Sequence, residues 1–149
     1  MIDAIDRKIL NIIQEDFPVE EEPFRRIGEL VGIGEDEALE RVVRLKESGI
    51  IRRMGAVFDP KKLGYVSTLC AARVPDEKVP DFVEVVNACK GVTHNYRRAH
   101  EYNIWFTVIA SSREEIDSFL REVGEKTGVT DILNMPATRV FKINAAFKV

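Results

Sequence analysis

Between Ile5 and Leu45 apolar residues recur three and four positions apart, the spacing that lines one face of an α-helix. Ile5, Ile9, Leu10 and Ile13 make such a face, and Asp3 stands where an N-cap belongs, so a first helix is expected to run to about Gln14. An acidic connector follows, Glu15 to Glu22, with Pro18 inside it. Pro23 suits the first turn of a second helix, with Phe24, Ile27, Leu30 and Val31 turned inward. Gly32-Ile33-Gly34 reads as a tight turn. A third helix is expected from Glu35 to about Ser48, with Ala38, Leu39, Val42, Val43 and Leu45 apolar and Gly49 ending it. Ile50 to Phe58 alternates enough for a strand or small wing. Helix, helix, glycine turn, helix and wing is the order of a winged helix-turn-helix, expected over residues 1–60.

Lys61-Lys62-Leu63-Gly64 reads as a hinge, and beyond it the periodicity changes. Val66 to Val74 is an apolar strand. Glu77 to Cys89 is a helix with Val79, Phe82, Val85 and Val86 on one face. Two strands follow, Val92 to Arg98 and Tyr102 to Ala110, joined by the polar turn Ala99-His100-Glu101. Ser112 caps a helix to about Lys126, with Ile116, Phe119, Leu120 and Val123 inward. Thr130 to Met135 is a short strand stopped by Pro136, and Thr138 to Val149 is expected as a further strand. The βαββαβ order predicts a ferredoxin-like α+β domain over residues 61–149.

Composition changes this picture little; the distribution of charge changes it more. Residues 1–60 hold 9 Lys+Arg against 14 Asp+Glu, a net of −5, and residues 61–149 hold 13 against 11, a net of +2. A helix-turn-helix offers base edges the N-terminal residues of its second motif helix, here Glu35, Asp36 and Glu37. Three carboxylates there repel phosphates, whereas DNA affinity rests on Lys and Arg, so DNA is an improbable partner. The same acids also suit the positive end of the helix dipole. No apolar run approaches the roughly 20 residues of a membrane span. Cys70 and Cys89 lack metal-site spacing and read as buried thiols of a cytoplasmic protein.

Candidate chemistry gathers between Gly91 and Ala110. This stretch holds both histidines, His94 and His100, the pair Arg97-Arg98, the sole tryptophan Trp105, and Tyr96 and Tyr102. Strand alternation puts His94, Tyr96 and Arg98 on one side and Thr93, Asn95 and Arg97 on the other. Ile104, Phe106 and Val108 suit the helix-covered face, leaving Asn103, Trp105 and Thr107 on the open face. That face suits an oligomer interface or a ligand surface. Either histidine has the chemistry of a proton donor, or of an ordinary hydrogen-bonded residue. No Ser or Cys nucleophile stands beside a base, and two histidines six apart make no zinc site alone. Arg97 and Arg98, with Arg139 and Lys142, suit several carboxylates or the wet face of a sheet. Arg52-Arg53, at the junction between the domains, is either a solvated pair or an anion contact. Together these residues fit a large, flat, anionic ligand.

The chain resembles the AsnC/Lrp class of transcription regulators in DAIDRKIL (Asp3 to Leu10) and LKESGII (Leu45 to Ile51). More specifically, GIIRRMGAVFD (Gly49 to Asp59), HNYRR followed by YNIWFT, and MPATRVFKI (Met135 to Ile143) resemble the siroheme decarboxylases, a branch of that class. Ala99-His100-Glu101-Tyr102 stands where regulators carry a Gly-Asp-type effector loop. The resemblance implies removal of CO2 from the C12 and C18 acetates of siroheme, giving 12,18-didecarboxysiroheme for a haem or haem d1 route. It implies no separate cofactor: the iron arrives within the tetrapyrrole substrate, with His100 a possible contact to it. The implied substrate-binding residues are Arg52, Arg53, Tyr96, Arg97, Arg98, Asn103, Trp105, Arg139 and Lys142, with His94 or His100 giving the proton. A paralogous subunit or a second copy is the implied partner. The fold alone also accommodates a regulator sensing a small molecule or haem.

Overall fold

A computed structural model describes residues 2–142 and 148–149 and divides the chain into two compact units. One holds Val57–Phe141; the other holds Met1–Ala56 and takes in the C-terminal end from Lys142.

The first unit is built on three helices, α1 (Ala4–Glu15), α2 (Pro23–Val31) and α3 (Glu35–Glu47). Asp3 caps α1 reciprocally: its side chain accepts from the Asp6 N–H at 2.8 Å, and the Asp6 carboxylate accepts from the Asp3 N–H at 3.1 Å. Gly32, at φ +83°, ends α2 in the left-handed conformation that a side chain would resist. Ile9, Ile27, Val31, Ala38 and Val42 form the core between these helices. Leu30, expected inward, is exposed, as are the apolar Leu39 and Val43 of α3. One stripe per helix fills this small core. On α3 it runs through Ala38, Val42 and Leu45, so their immediate neighbours turn out.

The expected wing strand is absent: Ile50 to Phe58 has no strand, and no described segment pairs with it. Gly55 (φ +150°) interrupts the extended path, and a lone strand has no ladder to satisfy it.

The second unit is a four-stranded antiparallel sheet under two helices. Its strands are β1 (Val66–Ala72), β2 (Val92–Arg97), β3 (Ile104–Ala110) and β4 (Ile132–Met135), in spatial order β2-β3-β1-β4. Helices α4 (Val79–Asn87) and α5 (Arg113–Thr127) connect them in ferredoxin-like order. A 3₁₀ turn, Asp76–Lys78, precedes α4, so that helix starts later than its apolar pattern predicts. The Ser112 side chain caps α5 by accepting the Glu115 N–H.

Cys70, Ala72, Phe82, Val86, Ile104, Phe106, Val108, Ile116 and Val123 fill the layer between sheet and helices. Phe82 meets Phe106 edge-on at 6.1 Å. Each such large side chain contributes about 1.5–3 kcal/mol by leaving water. Burial also pushes the Cys70 thiol up to about 12, so it sits in this core as an inert hydrophobe.

The strand expected from Thr138 does not form over residues 138–142, and residues 143–147 lie outside those described. The fourth strand is instead Ile132–Met135, paired with β1 and closed off by Pro136, which has no N–H for a ladder.

Candidate functional site

Register fixes which side chains share the uncovered sheet face. His94 pairs with Thr107, Tyr96 with Trp105, Leu69 with both Thr107 and Met135, and Ala71 with both Trp105 and Leu133. Directly paired residues point to the same side, so all of these lie opposite the helices. The face is partly apolar and uncovered among the described residues, with Leu69, Tyr96 and Leu133 exposed.

At the β2–β3 end the polar residues assemble. The His94 ring stacks on Tyr96 at 6.0 Å with a 28° interplanar angle. His94 Nδ1 lies 3.1 Å from the Thr93 hydroxyl and 3.4 Å from that of Thr107, and the two hydroxyls are 2.8 Å apart. The Arg98 guanidinium lies 5.5 Å from the Trp105 ring centroid, a cation–π contact on the open side. Trp105 is steadied from below, its indole N–H donating to the Tyr102 carbonyl at 2.7 Å.

The adjacent arginines diverge. Arg97 pairs in register with Ile104 and points to the helix side, where it donates to Asp76 at 2.7 Å. Asp76, Arg97, Arg98, Ala99, His100 and Asn103 line an open depression of about 490 Å³ at this strand end.

The turn between β2 and β3 is held from several directions. Asn103, expected to face a ligand, spends its amide on the backbone of Val74: it accepts the Val74 N–H at 2.9 Å and donates to the Val74 carbonyl at 2.8 Å. His100 Nδ1 accepts the Tyr102 N–H at 3.1 Å, and its ring stacks on Tyr102. The Tyr102 hydroxyl donates to Asp131 at 3.0 Å, and this bond to a carboxylate raises the phenol's pKa. Arg73 bridges Glu101 and Asp131 and lies over the Tyr102 ring. Sequence reasoning missed Thr93, Arg73, Asp76 and Asp131: the last three act through partners 21 or more positions away, and Thr93, though next to His94, shares its face only through the tertiary strand pairing.

Of the other expected residues, Arg139 lies over Phe141 at 4.9 Å on an irregular, exposed segment of the same unit. Arg52, Arg53 and Lys142 are exposed and belong to the other unit. In that unit the acidic tip Glu35-Asp36-Glu37 is exposed, as expected. Arg41 and Arg44 turn inward to Asp6: Arg41 Nη1 at 2.9 Å, Arg44 Nη2 at 2.7 and 2.8 Å. No helix of the described residues is long and apolar enough to cross a membrane.

A three-helix unit followed by this antiparallel sheet is an AsnC-type architecture. Residues 62–142 match the family model described as AsnC-like ligand binding domain, and residues 6–52 match the Siroheme decarboxylase NirDL-like HTH domain. The siroheme decarboxylase alpha subunit of Nitratidesulfovibrio vulgaris strain Hildenborough is 53% identical over 148 residues, covering 99% of this chain and 84% of that protein. The solved siroheme decarboxylase NirDL in co-complex with an iron-uroporphyrin III analogue is 35% identical, with a TM-score of 0.69. That match covers 95% of this chain and 48% of the NirDL chain, so the chain spans about half of it. An AsnC family transcriptional regulator from Agrobacterium tumefaciens is 26% identical, with a TM-score of 0.80 and coverage of 98% and 96%. The chain belongs to the siroheme decarboxylase family.

Proposed function

We propose that this chain is a subunit of a siroheme decarboxylase that removes CO2 from the C12 and C18 acetates, giving 12,18-didecarboxysiroheme on a haem or haem d1 route. The observation that carries the reading is the cluster on the open sheet face: His94 stacked on Tyr96, beside Arg98 over Trp105. Flat aromatic groups suit a macrocycle, and a guanidinium suits its carboxylates.

In each step the bond between the methylene and carboxylate carbons breaks. The electron pair stays on the methylene carbon, spread into the conjugated ring, until a proton takes its place and CO2 leaves. No net oxidation occurs, so no separate cofactor is required, and the iron is part of the substrate. Arg98 holds a carboxylate, with Arg97 contributing from the depression after releasing Asp76. Arg139 is a further candidate of the same unit, as are Arg52, Arg53 and Lys142 of the other.

His94 is the better proton donor. His100 Nδ1 already accepts a backbone N–H, so its one ring proton sits on Nε2, and giving that up would leave an imidazolate. A protonated Nε2 is equally unsuited to ligate iron, so His100 serves as a hydrogen-bond donor. The enzyme works in the cytoplasm with a paralogous subunit. The regulator reading is weaker, because two of the three cations of α3, Arg41 and Arg44, are tied to Asp6.

The test is anaerobic siroheme titration by absorbance beside single-turnover product masses, with each variant assembled with wild-type partner. Arg98→Ala is expected to weaken binding about tenfold or more, the loss of one charge-assisted contact, and Arg97→Ala by less. His94→Ala should bind normally and decarboxylate about 10²–10⁴-fold more slowly. Wild-type behaviour of all three variants in both assays would move the site off this face.

A further inference from the structure

Strand β2 does not alternate cleanly. Val92 pairs with Val108 and His94 with Thr107, so two steps on β2 answer one on β3, and Thr93 is the extra residue of a β-bulge. Val92 and His94 are two apart and in a regular strand would share a face. The bulge sends Val92 toward the helices with Val108 and turns His94 outward with Thr107. It also sets Thr93 beside His94 on the open face, against the expectation from alternation.

The bulge thereby builds a hydroxyl seat under one ring nitrogen. Thr93 Oγ1 is 3.1 Å from His94 Nδ1 and 2.8 Å from Thr107 Oγ1, and no described residue bonds His94 Nε2. A hydroxyl can both accept and donate. If Nδ1–H donates to Thr93 Oγ1, the Thr93 hydroxyl can donate onward to Thr107 Oγ1, and the exposed Thr107 hydroxyl turns its own proton to solvent. That arrangement places the Nδ1 proton permanently inward. Nε2 is then the atom that gains and loses the transferable proton, on the side where a ligand would lie. The same seat serves the doubly protonated ring before transfer and the Nδ1–H ring after it. His100, facing a fixed N–H, has no such freedom.

We propose that Thr93 and Thr107 are positioning residues that hold His94 in the Nδ1–H tautomer, so that Nε2 delivers the proton replacing CO2. The proposal rests on the decarboxylase reading above. In balance, Nε2–H passes to the methylene carbon as CO2 departs, the imidazolium becomes neutral, and Nε2 reloads from solvent; the hydroxyls exchange no net proton.

Thr→Val is the informative change, because it keeps shape and β-branching and removes only the hydroxyl. The holo-assembly with its partner subunit is labelled with ¹⁵N-histidine, and the His94 ring signals are identified by their loss in His94→Gln. In Thr93→Val the neutral His94 ring should move toward Nε2–H. Single-turnover decarboxylation should fall about three- to tenfold, the loss of one neutral hydrogen bond, with siroheme affinity unchanged. Thr107→Val should act in the same direction more weakly, and Thr93→Ser should restore both tautomer and rate. An unchanged tautomer and rate in Thr93→Val, while His94→Ala is slow, overturns the seat and leaves the decarboxylase reading intact. Equal slowing in Thr93→Ser and Thr93→Val also overturns it, because packing rather than the hydroxyl would then matter. Normal decarboxylation by His94→Ala overturns the underlying site instead.

Discussion

Replacing Asp6 with Asn tests how the first unit is braced. The Asp6 side chain is 1% exposed and accepts four hydrogen bonds from three donors: one from the Asp3 N–H, one from Arg41, and one on each oxygen from Arg44 Nη2. Asparagine keeps the volume and one acceptor oxygen, but it sets an NH₂ group against a guanidinium and removes the charge. Breaking a buried ion pair costs about 3–5 kcal/mol when the partner is stranded. Arg41, 17% exposed, still has Asp3 and Glu37, and Arg44 is 57% exposed and rehydrates, so the loss falls at or below the bottom of that range. The expected loss is about 2–3 kcal/mol near neutral pH.

The pH dependence follows from direction. Hydrogen bonds from Arg41 and the Asp6 N–H hold Asp3 down at about 2. Burial alone would raise Asp6, but the Asp3 N–H and Arg41 outweigh it and its pKa is lowered. Groups depressed in the fold stabilise it fully above their unfolded values, near pH 4, and lose that effect as pH falls through the folded values. The gap between wild type and Asp6→Asn should therefore be full at neutrality, shrink as pH falls below the ordinary carboxylate range and close as Asp6 itself becomes protonated in the fold. Urea unfolding by far-UV circular dichroism follows the helices, while Trp105, the sole tryptophan, reports on the other unit. A difference under about 1 kcal/mol at neutral pH, or one that does not shrink in acid, would refute the brace.

Two further outcomes are expected. The protein should show no sequence-selective retardation of promoter DNA at low salt, given Glu35-Asp36-Glu37 at the α3 tip and Arg41 and Arg44 held by Asp6; Lys at the three tip positions should raise non-specific affinity and steepen its salt dependence. Gly91→Ala should lower stability by about 1–3 kcal/mol in the same urea assay, because the new Cβ would collide with the Ile109 carbonyl where Gly91 already accepts the Ile109 N–H at 2.9 Å; full stability would show that this close approach can relax.

Much of the fold was legible because its signals are local. Helical spacing located α1 to α5, the Asp3 and Ser112 caps marked two helix starts, and alternation within Ile104 to Ala110 assigned the covered face. The expected wing failed because a strand depends on a partner that alternation cannot supply. Leu30 was misplaced because hydrophobicity does not reveal how narrow a three-helix core is. At the site, His94, Tyr96 and Arg98 were legible as one side of their strand and Trp105 as an open-face residue; that the two sets share a face follows from the pairing of Tyr96 with Trp105. The partition of Arg97 to Asp76 and of Asn103 to Val74 was not legible, since both partners are set by tertiary folding.

The bulge at Thr93 behaves like a parity bit. Straightened, with Thr93 opposite Thr107 and each later residue advanced one step, β2 would bring Asn95 and Arg97 to the open face and turn His94 and Tyr96 under the helices. Composition, strand length and nearly all backbone pairing would survive. A lineage of this fold could thus exchange one complete set of face residues for another through a single-step slip, with no intermediate that presents half of each.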